Sequence, residues 1–304
     1  MNAMVAALEG AAPTLELRQF AVRSAGPAWA APLSLRSTAQ RVALVGDWDP
    51  LFQVLSGRAE VASGEASILG NPLESAISGG ILGFAACDPP LPGSFTVNEY
   101  LVHAARLTHG SLNRARQDAQ RTLERYGLVE LTKRKLAELV SHQRRALGIA
   151  LATLTAPPVV CLETPLRGLD APSADYIARL CGEAAAHSRL VLSSNLPASP
   201  SPERSLLDTC DDLFVVARGE LLARGAPSAV FAAGSRYTLC VTGDNIAAYA
   251  SALGVQGVRV EARTEPGRFH VELPQTGTES SDVLLDTALE QGVIIVELEP
   301  LLLT

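Results

Sequence analysis

Two kinds of hydrophobic pattern divide this chain. Leu15-Glu16-Leu17-Arg18-Gln19-Phe20-Ala21-Val22 alternates as a half-buried strand should. A Gly/Pro/Ala stretch runs from Ala25 to Pro32, and a second strand is expected near Leu33–Leu35. Val42-Ala43-Leu44-Val45 is continuously apolar, the mark of a strand covered on both faces. Asp49 is placed to cap a helix and Pro50 to open it. The pattern therefore predicts a helix over Pro50–Ser56, ended by Gly57. Ser63 to Gly70 reads as a turn followed by a strand, and Ile81–Phe84 as a short buried strand.

From Thr96 to about Ala150 the spacing turns helical. Val97, Leu101, Ala104 and Ala105 share one face, and Leu123, Tyr126, Leu128 and Leu131 mark the next helix. A long helix over Arg144–Leu154 is stopped by Ala156-Pro157-Pro158. Strand Val159–Leu162, helix Ala171–His187 and strands Leu190–Ser193, Asp212–Val216 and Glu220–Leu222 follow. From Arg236 the order becomes strand (Tyr237–Val241), helix (Asn245–Leu253), two strands (Val258–Ala262 and Phe269–Leu273), helix (Ser281–Gln291) and strand (Val293–Leu298). That βαββαβ order is the ferredoxin-like plan. The sequence thus predicts a tail over residues 1–13, an α/β domain over 14–234 with a helical subdomain near 95–150, and an α+β domain over 235–304.

Composition narrows the classes. A chain of 304 residues, 47 % hydrophobic and 19 % charged, can bury two cores without staples. Its net charge of −7 argues against nucleic acid as a partner. The five cysteines are odd in number, widely spaced and lack a CxxC pair, so they read as small hydrophobes in a reducing compartment. The start, MNAMVAALEGAA, has no basic region and makes a poor signal peptide. No stretch approaches the roughly 20 apolar residues that span a bilayer, so any membrane role is expected to be peripheral. His103, His109, His187 and His270 show no ligand spacing and read as solvated, and Lys133-Arg134-Lys135 reads as a solvated helix face.

Candidate chemistry begins at Gly46. A strand–glycine–helix junction ordinarily offers an anion bare backbone N–H groups, glycines and a lysine. Here Asp47, Trp48 and Asp49 follow Gly46, and the only lysines in the chain are Lys133 and Lys135. A carboxylate about 6 Å from a phosphate charge costs roughly 3 kcal/mol at an effective dielectric of about 20. The helix dipole returns only about 1 kcal/mol. Asp47 and Asp49 read as a turn and a cap that reject anions as a by-product. Trp48 reads either as a plug in a vacated pocket or as a core anchor.

The run from Leu139-Val140-Ser141-His142-Gln143-Arg144 through Pro157-Pro158-Val159-Val160-Cys161-Leu162-Glu163-Thr164-Pro165-Leu166-Arg167-Gly168-Leu169-Asp170 resembles the signature helix, Walker B strand and D-loop of ABC transporter ATPases. Further landmarks fall in order. Gly83-Phe84-Ala85-Ala86-Cys87-Asp88-Pro89 looks like the Q-loop, Phe95-Thr96-Val97-Asn98-Glu99-Tyr100-Leu101 like the segment after it, and Val191-Leu192-Ser193-Ser194-Asn195 like the strand ending in the switch histidine. The resemblance spans roughly residues 14–230. The rest looks like the small C-terminal domain of ABC-2 type exporter ATPases. It implies an α/β, P-loop NTPase-like ABC ATPase core with a RecA-like parallel sheet, a β subdomain and an α-helical subdomain, followed by the ferredoxin-like α+β domain.

The chemistry-bearing positions depart from that family. The phosphate-loop glycines, lysine and hydroxyl are absent after Gly46. Glu163 stands at the Mg²⁺-linked aspartate, and Thr164, which cannot act as a general base near neutral pH, at the catalytic glutamate. Cys87 takes the Q-loop glutamine position and Asn195 the switch histidine position, and no adenine-stacking aromatic stands near Ser24. Val140, Ser141 and His142 replace the signature serine and glycines ahead of Gln143, while Gly168, Leu169 and Asp170 keep the D-loop. Glu163 with Thr164 reads as a remnant metal site or as a locally hydrogen-bonded strand end. The segment Cys87–Tyr100, with Asp88, Pro89, Pro90, Phe95 and Tyr100, lies where the family grips the coupling helix of its membrane subunit.

The resemblance therefore implies a non-hydrolysing pseudo-ATPase subunit with no cofactor, peripheral at the cytoplasmic face of the inner membrane. Its expected partners are an ABC-2 type permease, a second ABC ATPase subunit, or both. Two alternatives remain open. One is a subunit that binds ATP·Mg²⁺ within a heteromeric exporter whose intact paralogue hydrolyses. The other is an envelope or gliding-motility assembly protein.

Overall fold

The computed structural model describes residues 12–23, 32–195, 201–217, 219–233, 236–263, 266–273 and 282–300. The chain divides into two compact units, residues 1–221 and 222–304. That division falls inside a strand, Glu220–Gly225, whereas the βαββαβ elements begin at Arg236. Ser24, where a stacking aromatic is missing, lies outside the described residues.

The first unit opens on an antiparallel sheet. β1 (Leu15–Arg23) lies between β2 (Leu33–Ser37) and β4 (Glu60–Ile68), with the two-residue β5 (Asn71–Pro72) on the far side of β4. The turn expected at Ser63-Gly64 is instead part of β4. Gly64 adopts φ +74°, and a Cβ there would meet Gln19 O at 2.1 Å. The register slips at this point, where Gln19 and Phe20 of β1 oppose Gly64 alone, so the glycine faces a bulge in β1 from within a continuous strand.

The second sheet runs in the order β10-β9-β3-β8-β7-β6, with β3 (Arg41–Gly46), β6 (Leu82–Ala85), β7 (Val159–Leu162), β8 (Arg189–Ser194), β9 (Asp212–Ala217) and β10 (Glu220–Gly225). The pairs joining β6, β7, β8, β3 and β9 are all parallel. Continuous apolar runs give these strands two covered faces, as the fully buried Val42–Val45 and Val159–Leu162 show. Because the strands are parallel, Gly46, Ala85, Leu162 and Ser194 all end at one rim. The expected site positions Asp47, Glu163 and Asn195 come next in their strands, and Cys87 stands two residues beyond Ala85.

Helices fill the crossovers. α1 (Asp49–Leu55) follows β3, and α2 (Leu73–Ser78) precedes β6. α3 (Val97–His109), α4 (Leu112–Arg125) and α5 (Ser141–Thr153) lie between β6 and β7. α6 (Ala171–Ala185) and α7 (Pro202–Leu207) flank β8, and α8 is Pro227–Ala233. α5 begins three residues earlier than its hydrophobic spacing suggests, so Ser141, His142 and Gln143 form its first turn. Lys133, Arg134 and Lys135 are exposed, but they join two 3-10 turns and do not line a helix face. His103 and His187 are exposed, in keeping with a solvated reading, and His270 is half-buried; each also makes a contact. His187 Nε2 lies 3.4 Å from Glu183, Arg263 donates to His270 at 2.7 Å, and the His103 ring sits 5.9 Å from Phe95. The His109 side chain lies outside the described residues.

The second unit carries β11 (Arg236–Thr242), α9 (Ile246–Val255), β12 (Arg259–Ala262), β13 (Arg268–Glu272), α10 (Asp282–Gln291) and β14 (Ile294–Pro300). Its sheet order is β12-β13-β11-β14, and every pair is antiparallel. Leu239, Tyr249, Leu253, Val271 and Leu284 anchor a core of its own. Among the described residues no helix is long and apolar enough to cross a membrane.

The start of α3 shows how a motif residue earns its place. Thr96 Oγ1 accepts the Glu99 N–H at 3.2 Å, and Glu99 Oε2 accepts the Thr96 N–H at 2.8 Å. This capping box satisfies two donors that the helix leaves unpaired. Hydrogen bonds from Thr96 hold the Glu99 carboxyl below its ordinary range. A folded value below the unfolded one gives stability that is present above the ordinary glutamate range and is lost as pH falls through the folded value. Thr96→Ala is expected to lower stability by about 1 kcal/mol in a urea titration at neutral pH. The difference from the parent should shrink as the titration is repeated under increasingly acid conditions.

Candidate functional site

The strand–helix junction is closed by its own backbone. Gly46 takes φ +95°, and a Cβ there would lie 2.1 Å from Val216 O, so only glycine fits. Asp47 N donates to Val216 O, Trp48 N to Gly46 O, and both Leu51 N and Phe52 N to Trp48 O. Pro50 has no N–H to offer, which leaves only the Asp49 amide beside its own carboxylate. Asp49 was expected to cap α1, but the N-cap is Trp48 and no side-chain cap bond forms. Asp49 is instead the first helical residue. The shortness of the loop leaves it no room to sit outside the helix and reach back.

Trp48 is fully buried and packs in the core with Leu51, Phe52, Leu17 and Phe20. Its Nε1 donates to Val45 O at 3.1 Å, so the one polar atom of the indole is satisfied inside. This is the core-anchor reading. The ring ties the antiparallel sheet and α1 into one hydrophobic cluster.

Glu163, at the end of β7, is engaged on both oxygens. Oε2 accepts the Cys87 N–H at 3.1 Å, and Oε1 lies 3.3 Å from Arg58 Nη2. Arg58 Nε also donates to Ser56 Oγ at 2.7 Å. The guanidinium therefore stands beside the strand-end carboxylate, where the resemblance would set a magnesium ion. Among the described residues no group of three or more His, Cys, Asp or Glu side chains is arranged to hold a metal. With the junction amides bonded to carbonyls and Glu163 bonded to Arg58, these residues do not fit a magnesium nucleotide. Sequence reasoning missed Arg58. Its one signal was isolation, since no other Lys or Arg occurs between Arg41 and Arg106.

Thr164 and Asn195, at the catalytic glutamate and switch histidine positions, line a separate cavity of about 250 Å³ with Gly168. Thr164 has φ +37°, an uncommon conformation for a β-branched residue and a strained one. Ser193 Oγ accepts the Thr164 N–H at 3.0 Å and helps hold that backbone, while Thr164 Oγ1 is buried without a protein partner. Among the described residues that line this cavity the one acid is Glu203, in the first turn of α7, and there is no imidazole. Burial pushes the Cys161 and Cys181 thiols up to about 12, so neither is a nucleophile.

The signature-like residues sit apart from these groups. Val140 is half exposed at the N-cap of α5 and has no side-chain acceptor, so only Gln143 contributes a cap, accepting the Val140 N–H at 3.3 Å. Ser141 is exposed, and His142 Nδ1 lies 3.3 Å from Ser173 Oγ with its ring edge-on to Tyr176. Asp170 precedes α6, its carboxyl held below the usual range chiefly by Ser173. Leu169 N donates to Leu166 O, and Gly168 turns the D-loop at φ +70°. His142 thus joins the signature helix to the D-loop helix.

Asp49, Cys87 and Glu163 face a wide groove of about 1430 Å³. Asp88, Pro89, Pro90 and Tyr100 line it too, so four of the five expected interface residues meet on one surface. Phe95 is not among the lining residues, and packs edge-on against Tyr100 at 6.1 Å. Arg144 Nη2 bonds Asp88 at 3.2 Å and Pro89 O at 3.3 Å, pinning the Q-loop-like turn to α5.

This arrangement, a parallel sheet with its site at the strand ends, an antiparallel sheet beside it and a helical insertion, is the ABC ATPase fold. The solved structure of cbiO1 from Clostridium perfringens, described as part of the ABC transporter complex cbiONQ, superposes with a TM-score of 0.61 at 20 % identity. It covers 72 % of this chain and 91 % of that one. In sequence the chain is homologous to ABC transporter ATP-binding subunits. An uncharacterized ABC transporter ATP-binding protein of Bacillus subtilis, YxlF, is 24 % identical over 174 residues, 57 % of this chain and 56 % of its own length. Nod factor export ATP-binding protein I of Burkholderia orbicola is 30 % identical over 187 residues, 59 % of this chain and 58 % of that protein. The chain thus spans little more than half the length of these relatives. No protein-family model matches it.

Trp48→Ala removes the largest fully buried side chain and is expected to cost about 3–5 kcal/mol. Arg58→Ala removes a salt bridge whose cation is mostly exposed and is expected to cost under about 1 kcal/mol. Urea midpoints of the two variants should therefore separate widely. Equal midpoints would show that the indole does not anchor the junction.

Proposed function

We propose that this chain is a non-hydrolysing ABC-type subunit that docks on an ABC-2 type membrane permease, or on a related ATPase, as scaffold or regulator. The observation that carries the reading is the closed junction. The amides that would cradle phosphate donate to Val216 O, Gly46 O and Trp48 O, and no lysine replaces them. The conformational framework persists around this junction, including the D-loop turn and the His142–Ser173 contact. The wide groove beside Tyr100 offers a surface that a permease segment could occupy. The C-terminal βαββαβ unit agrees with an ABC-2 type exporter, and docking there would make the subunit peripheral at the cytoplasmic face of the membrane.

The test is a titration of the purified chain with labelled ATP in the presence of Mg²⁺, together with a phosphate-release assay. Neither saturation in the micromolar range nor turnover is expected. Micromolar saturation on adding a partner ATPase would replace this reading with that of a nucleotide-binding half of a heteromeric exporter. Turnover by the chain alone, lost in Glu163→Gln, would end it. The docking half is tested separately. Tyr100→Asp sets a charge on the groove wall and is expected to abolish co-purification of the permease from native membranes. The variant should keep the parent's circular dichroism, and undiminished co-purification would place the interface elsewhere.

A further inference from the structure

The turn between α3 and α4 carries a surface that meets the groove only at Leu107 and Thr108 and extends beyond it. Leu107, in the last turn of α3, is 79 % exposed, and Leu112, the first residue of α4, is 40 % exposed. Neither lies in a core. Between Arg106 and Arg116 the chain holds three exposed arginines, Arg106, Arg114 and Arg116, and no carboxylate. This is a local excess of positive charge on a chain whose net charge is −7.

The acids of the two helices are kept away from this tip. Glu99 stands about 10 Å before Arg106 and Glu124 about 12 Å beyond Arg116, at about 1.5 Å per helical residue. Asp118 is buried and bonded to Arg121, with Arg114 Nε at 4.0 Å. Arg114 nonetheless remains mostly exposed.

We infer that the α3–α4 tip rests on an anionic lipid surface, with Leu107 and Leu112 entering the headgroup layer and the arginines meeting lipid phosphates. Two leucines at a helix corner present far less than the roughly 800 Å² per partner of a stable protein interface. A bilayer demands no shape complementarity, and its negative surface potential complements the arginines. Such contact is weak and reversible, because no long apolar segment is buried. Leu107 and Tyr100 both line the groove, so a tip on the membrane would set the groove's mouth close to the bilayer. The tip's affinity for lipid does not depend on any permease.

The test uses the purified full chain and sedimentable vesicles, some of equal parts phosphatidylglycerol and phosphatidylcholine and some of phosphatidylcholine alone. The chain is expected to sediment with the anionic vesicles at low salt, to be released at high salt, and to ignore the neutral ones. Arg106→Glu with Arg116→Glu should lower partitioning by at least about 25-fold, from about fivefold per lost arginine. Leu107→Asp should lower it as well. Arg259→Glu, an exposed arginine of the second unit, should partition as the parent does. No sedimentation with anionic vesicles, equal binding to both kinds, or a double variant that binds like the parent would each overturn the inference. The outcome is independent of permease docking, since no permease is present.

Discussion

The inward turn of Trp48 is the constraint on which the site depends. An indole that must reach the core beneath β1 pulls the chain down as soon as β3 ends. The two residues between strand and helix, Asp47 and Trp48, then have no length left to arch over a ligand. Their amides turn to the nearest carbonyls because a buried or half-buried N–H without a partner is costly. Gly46 makes the turn possible, since its φ of +95° and its contact with Val216 O exclude every side chain. The apolar core and the closing of this junction by its own carbonyls are therefore one structural fact seen from two sides.

The rim of the parallel sheet still collects residues from distant parts of the sequence, as this topology always does. Their bonds are made within the protein. Glu163 makes its bonds within the protein, to a backbone amide and to a guanidinium. Thr164 keeps a strained backbone although it has no base to present. Strain of this kind, about 1–3 kcal/mol, persists only where the surrounding structure overrides it. The bonds of Ser193 and the D-loop turn at Gly168 do so here.

Much of the fold was legible because it rests on periodicity. Continuous apolar runs marked the parallel strands, Pro157-Pro158 fixed the end of α5, and the βαββαβ order of the last residues was readable element by element. The site was legible in identity and less so in geometry. The positions of Glu163, Thr164, Cys87 and Asn195 were named from the resemblance to the family's motifs, and the structure sets them at or just beyond strand ends. The direction of Trp48 did not, because a tryptophan after a glycine is equally at home as a plug or as a core residue. The Arg58–Glu163 pair spans 105 residues and leaves no local pattern. The bulge opposite Gly64 was mistaken for a turn, since a lone glycine signals both. Asp49 misled for a related reason. A cap is defined by where the chain leaves the helix axis, and that point is decided by packing.

The second unit has one further consequence. Leu239, Tyr249, Leu253 and Leu284 close a hydrophobic interior around a four-stranded sheet that draws on no residue before Arg236. Two separate interiors give a chain two cooperative blocks, so heat or denaturant will dissolve it in steps and a single melting temperature will not describe it.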